Sequence, residues 1–144
     1  MRFTAPASAR QIDLGLALLR VVTGVVFIAH GARQVFGGGV DGIASALGGP
    51  SVPLAGVVAP LVVFLELSGG VALIVGVLTR PIALALSGET LGALLLLHPP
   101  VGFSLPDGYE FVFALLGAAA ALAVLGAGGW SLDARIEARR IEEA

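Results

Sequence analysis

The 144-residue chain contains no cysteine, and only 12% of its residues are charged and 6% aromatic. Without a thiol, the chain cannot by itself exchange disulfides, carry a persulfide or ligate an iron–sulfur cluster. The scarcity of charge is as restrictive, because an ordinary soluble domain carries about a quarter charged residues and needs them to cover its surface. A net charge of -2 and the lack of any basic stripe exclude a nucleic-acid partner. What fills the chain instead is apolar: 57% of residues are hydrophobic, and between them the stretches from Leu54 to Leu78 and Phe111 to Gly128 hold one ionisable residue, Glu66.

An α-helix rises about 1.5 Å per residue and the apolar part of a bilayer is roughly 30 Å thick, so such stretches are long enough to cross it. The expected fold is all-α: a polytopic membrane protein built as a four-transmembrane-helix antiparallel bundle, one domain over 1–144. Spans are expected at about 13–36, 54–78, 81–97 and 110–127. Glycines 37–39 stop the first span, Thr79-Arg80-Pro81 makes a tight turn, and His98-Pro99-Pro100 ends the third. Asp41 is placed to cap a short surface helix within 40–53, and Pro60 to bend the second span. The segment Leu14 to Ala29 is read as a retained span, since it is longer than a cleaved leader's core and contains Arg20. A cytoplasmic tail, 131–144, should form a helix capped by Ser131, with Trp130 as an interfacial anchor. Arg2, Arg10, Arg80, Arg135, Arg139 and Arg140 fall on one side and Arg33 on the other, which predicts both termini on the cytoplasmic side of the plasma membrane.

The charges inside the spans carry the functional question. Arg20, Glu66 and Glu89 would each cost about 2.5 to 3.5 kcal/mol in lipid, so they are expected to face the bundle interior as a buried charge cluster. Helical rise allows one guanidinium to reach both carboxylates. Arg20, Gly24, Phe27 and Gly31 share one side of the first helix; Glu66, Gly69, Gly70 and Leu73 share one side of the second; Gly88 and Gly92 flank Glu89. Two carboxylates and one arginine leave an excess negative charge, which makes Glu66 or Glu89 the candidate proton site. The alternative is a structural ion pair that fixes helix register. His30, Arg33, His98 and Glu110 are expected to form a polar rim at the outer mouth, able to receive a quinone head, with Phe27, Phe64, Phe103, Phe111 and Phe113 as candidate lining. Two histidines on different helices could ligate haem, but their spacing fixes no ligand set and no metal is assigned.

These residues resemble a known family. Leu19-Arg20, Gly24, Phe27 and His30-Gly31 before Phe36-Gly37, then Glu66-Leu67-Ser68-Gly69-Gly70 with Gly76, Thr79 and Arg80, are similar to the DoxX family of small membrane proteins. Gly108-Tyr109-Glu110 and the run Gly126-Ala127-Gly128-Gly129-Trp130-Ser131-Leu132-Asp133 agree as well, so the resemblance covers about Leu14 to Asp133. It implies a four-helix bundle in the cytoplasmic membrane; some relatives are subunits of quinone-linked sulfur-oxidising oxidoreductases and others associate with redox-stress enzymes. By the resemblance Arg20, His30, Glu66 and Glu110 should matter. The chain departs from the pattern after His30-Gly31, where Gln34 stands in place of a common lysine and Arg33 lies one position earlier, a turn of about 100°.

Three functions follow as expectations. The first is a quinone-linked membrane subunit of a redox complex, served by a soluble redox protein on the cytoplasmic side because the chain holds no redox centre of its own. The second is a non-enzymatic scaffold or assembly factor. The third is a small proton or weak-acid carrier, for which four short spans would require a homo-oligomer.

Overall fold

The computed structural model describes residues 6–37, 55–97, 103 and 109–143. All regular structure among them is helical: α1 (Ala9–Gly37), α2 (Ala55–Val75), α3 (Thr79–Leu97), α4 (Glu110–Leu125) and α5 (Leu132–Glu142). The expected short helix after Asp41 and the His98 stop lie outside the described residues. Helix α1 starts four residues earlier than the spacing predicts, because Ser8 opens it by accepting the Gln11 amide, while Ser8 donates in turn to the Gln11 side chain. Pro60 sits inside α2.

The helices pair as two hairpins. Helix α1 lies against α2, α3 lies against α4, and the pairs meet through α2 with α3 and α1 with α4. The α1–α2 crossing is set by glycine. A Cβ on Gly24 would stand 2.5 Å from the Gly70 carbonyl, one on Gly70 would stand 2.6 Å from the Gly24 carbonyl, and one on Gly31 would stand 3.2 Å from Glu66 Cβ. No larger residue fits there, so the two backbones touch, the geometry that small residues permit where lipid supplies no hydrophobic drive. Arg20, Thr23, Gly24, Phe27 and Gly31 are the buried side of α1, as their spacing predicts. Gly88 and Gly92 behave differently from expectation: a Cβ on either meets nothing within 4 Å. The buried stripe of α3 runs instead through Ala83, Leu86, Ser87 and Thr90.

Phe27, Leu73, Ala83, Leu86, Ala119 and Leu122 interlock as the apolar core, one or two from each of the four long helices. Outside it the surface is also apolar. Phe64 is 69% exposed and Val124 75%, with Leu18, Leu61, Leu84 and Leu95 likewise outward. Apolar side chains all round a helix, rather than on one stripe, belong to an environment that is itself apolar. Helices Ala9–Gly37 and Gly56–Val75 are long and apolar enough to cross a membrane, and Glu110–Leu125 is a shorter apolar helix.

Candidate functional site

Two polar centres are built into the bundle, one at its end and one in its middle. The first is a junction made by the α2–α3 turn, the α4–α5 link and the first half of α1. The chain leaves α2 through Gly76 (φ +76°) and Leu78 (φ +50°), and leaves α4 through Gly126 (φ +84°) and Gly128 (φ +73°). Left-handed backbone of this kind costs a glycine little. A Cβ on Gly76 would in addition overlap the Arg20 guanidinium.

Arg20 is 2% exposed and closes the junction: Nη1 donates to the Ala127 carbonyl at 2.9 Å and Nη2 to the Trp130 carbonyl at 2.9 Å. Asp13, two turns earlier, accepts the Gly129 amide at 2.7 Å. Asp133 reaches the turn that joins the two hairpins, accepting the Leu78 amide at 2.8 Å and the Thr79 amide at 2.9 Å, while its own amide donates to the Gly76 carbonyl. It thereby caps the first turn of α3, where a carboxylate is favoured by both the orphan amides and the helix dipole. Ser131 caps α5 by accepting the Ala134 amide, the role its type and position predict, and donates to the Gly128 carbonyl. The run from Gly126 to Asp133 is thus a stitched link rather than a loose connection.

This overturns the expected placement of Arg20. It does not bridge Glu66 and Glu89; among the described residues its hydrogen bonds go to main-chain carbonyls. The physical reason lies in side-chain direction, because helical side chains lean toward their own helix's N-terminus. Helix α1 runs away from the junction, so Arg20 leans back into it, whereas α2 runs toward the junction and Glu66 leans the opposite way. Counting rise alone puts the backbones within reach and misses this divergence.

The second centre is a polar layer in the middle of the bundle. Glu66 lies ten positions before Gly76 and Glu89 ten positions after Thr79, hence each about 15 Å from the junction end. Glu66 is 3% exposed, backs onto Gly31, and its Oε2 is buried with no hydrogen-bond partner. Thr90 donates its hydroxyl to the Leu86 carbonyl at 2.7 Å and, at 3.5 Å, to Glu89 Oε2. His30, the neighbour of Gly31, stacks on Phe111 of α4 with ring centroids 5.5 Å apart and planes 11° from parallel. One turn further along α1, Gln34 Oε1 is buried and unpartnered. The apolar core separates this layer from the junction.

The other expected site residues divide. His30 is half-buried and joins α1 to α4; Glu110, next to Phe111, is half-buried at the same end; Arg33 is exposed on the side of α1; His98 lies outside the described residues. Of the five phenylalanines expected to line a cavity, Phe27 is in the core and Phe64, Phe103, Phe111 and Phe113 are exposed to differing degrees. No group of three or more metal-binding side chains occurs among the described residues. Reading the sequence alone missed Asp13 and Asp133 as partners of backbone amides, although an aspartate closing a glycine-rich run is a capping signal.

A family model described as DoxX matches residues 15–99, the stretch holding Arg20, His30, Glu66 and Glu89. Among curated proteins, "Inner membrane protein YqjF" of Escherichia coli (strain K12) is 31% identical over 127 residues, which is 84% of this chain and 91% of that protein. "Putative oxidoreductase CatD" of Bacillus subtilis (strain 168) is 29% identical over 124 residues, 86% of this chain and 88% of its own length. No solved structure matches the chain.

Proposed function

The chain belongs to the DoxX family of membrane proteins, and on that premise we propose that it is the quinone-binding membrane subunit of a redox complex. The observation that carries this reading is the buried, unpartnered Oε2 of Glu66, whose side chain packs against Gly31 in the bundle interior. A carboxylate oxygen hidden from water without a donor costs free energy unless a proton or a ligand hydroxyl satisfies it. Gln34 Oε1 is a second orphan acceptor toward the far end. A quinol headgroup offers two hydroxyl donors and a flat ring, which fits two orphan acceptors beside a stacked His30–Phe111 pair. When bound, the quinone supplies the two-electron chemistry; electrons reach it from a soluble partner on the cytoplasmic side, since the chain has no redox group of its own. Glu66 then holds the exchangeable proton at Oε2, with Glu89 as its neighbour in proton transfer. The oxidoreductase label in the name of CatD points the same way.

In this reading all four long helices span the membrane, with both termini and the junction in the cytoplasm. The lack of cysteine makes the sidedness of the tail simple to test: Ala138→Cys should react with a membrane-impermeant maleimide in inverted vesicles and not in intact cells. For the quinone, the protein is purified in mild detergent and its lipids extracted. Stoichiometric quinone in the wild type, lost in Glu66→Gln at unchanged melting temperature, is the expected result; quinone absent from the folded wild type refutes it.

A scaffold role is the second reading, and the junction favours it. Arg20 spends its charge on holding α5 and its link in place, which presents a charged helix at the membrane surface to a soluble partner. Under it Glu66→Gln and Arg20→Leu change stability alone.

A further inference from the structure

Beside the junction lies a recess that the polar layer does not use. A groove of about 480 Å³ runs between the start of α3, the end of α4 and the first turns of α5. Leu78, Pro81 and Leu125 give it an apolar side, and Leu78 and Leu125 are 62% and 59% exposed, so that side opens outward. Its polar edge is Arg80 and Glu137. A Cβ on Gly126 would stand 3.0 Å from Arg80 Nε, so the glycine leaves the space over which the guanidinium lies.

The charges in this groove are not consumed by one another. Among the described residues Arg80 and Glu137 form no ion pair, although both line the same recess. Asp133 also lines it, but both its oxygens already accept backbone amides. Thr79 Oγ1, on a residue 0% exposed, has no hydrogen-bond partner and lies where the groove meets the first turn of α3. The recess therefore combines one available cation, one available anion, an orphan hydroxyl and an outward apolar flank.

We propose that this groove binds a phospholipid whose headgroup carries both a phosphate and a primary ammonium. The phosphate lies on Arg80, whose fork of donors matches its oxygens, with Thr79 as a further donor. The ammonium reaches Glu137, and the acyl chains leave along Leu78, Pro81 and Leu125. An anionic headgroup satisfies Arg80 but leaves Glu137 facing negative charge. A choline headgroup has no N–H to give. This site is separate from the quinone reading and rests only on the junction lying at the cytoplasmic surface of the membrane, a sidedness that the maleimide test examines independently.

The test uses the full-length protein in mild detergent with equimolar phosphatidylethanolamine, phosphatidylcholine and phosphatidylglycerol of identical chains, retained lipid being counted by native mass spectrometry. Phosphatidylethanolamine should be retained one to one, and Arg80→Gln and Glu137→Gln should each lower its retention about tenfold, the loss of one charge-assisted contact. Glu137 is on the exposed part of α5, so Glu137→Gln carries the test even if Arg80→Gln unfolds. Equal retention of the three lipids, no retained lipid, or selectivity that persists in Glu137→Gln would each overturn the proposal.

Discussion

Replacing Arg20 with leucine distinguishes the observed junction from the charge cluster that spacing alone suggests. The guanidinium donates two hydrogen bonds of 2.9 Å, to Ala127 and Trp130. Bonds from a charged donor contribute about 1.5 to 3 kcal/mol each in water-soluble proteins, and interhelical bonds in membranes average about 0.6 kcal/mol. Two such bonds at a partly buried membrane end should therefore stabilise the protein by roughly 2 to 4 kcal/mol, part of it the cost of leaving the Ala127 carbonyl buried and bare. The assay is reversible unfolding in mixed micelles of dodecyl maltoside and sodium dodecyl sulfate, followed by the fluorescence of Trp130, the chain's single tryptophan. The decisive quantity is the coupling between Arg20→Leu and Glu66→Gln in a double-mutant cycle. Groups that share no contact add within about 0.5 kcal/mol, whereas an ion pair in the bundle interior would couple by 1 kcal/mol or more on the same scale. Additivity is expected; a coupling above about 1 kcal/mol would refute the assignment of Arg20 to the junction.

Further outcomes follow from other contacts. Gly24→Ala should destabilise the α1–α2 pair by about 2 kcal/mol, since its Cβ would meet the Gly70 carbonyl, whereas Gly88→Ala, which meets nothing, should be neutral or slightly stabilising in the same unfolding assay. Asp133→Asn keeps one acceptor oxygen of two and removes the charge at the start of α3, for an expected loss of about 1 to 2 kcal/mol. Ser131→Ala removes the cap of α5 and should lower the helical circular dichroism of the tail, with a cost of about 1 kcal/mol.

Much of the architecture was legible because it follows from local pattern. Apolar length set the four long helices, the spacing of Gly24, Phe27 and Gly31 set the buried side of α1, and Ser131 announced the last helix. The site was less legible, for reasons that differ from residue to residue. Glu66 was found because a carboxylate in an apolar run is conspicuous whatever surrounds it. Arg20 was found for the same cause but given the wrong partners, because spacing along a helix does not tell which way a long side chain leans or that main-chain carbonyls await it. Gly88 and Gly92 misled in another way: glycine in a span signals close approach only on the side that faces a neighbour, and α3 turns a different stripe inward.

The stitched junction also fixes an order of assembly. The groups that Arg20, Leu78 and Thr79 need lie 54 to 110 positions further along the chain. While the ribosome is still making α4, the first hairpin sits with an unanswered guanidinium and the next turn with two bare amides. All are answered together when residues 127–133 arrive, so the junction can close only after α4 is complete.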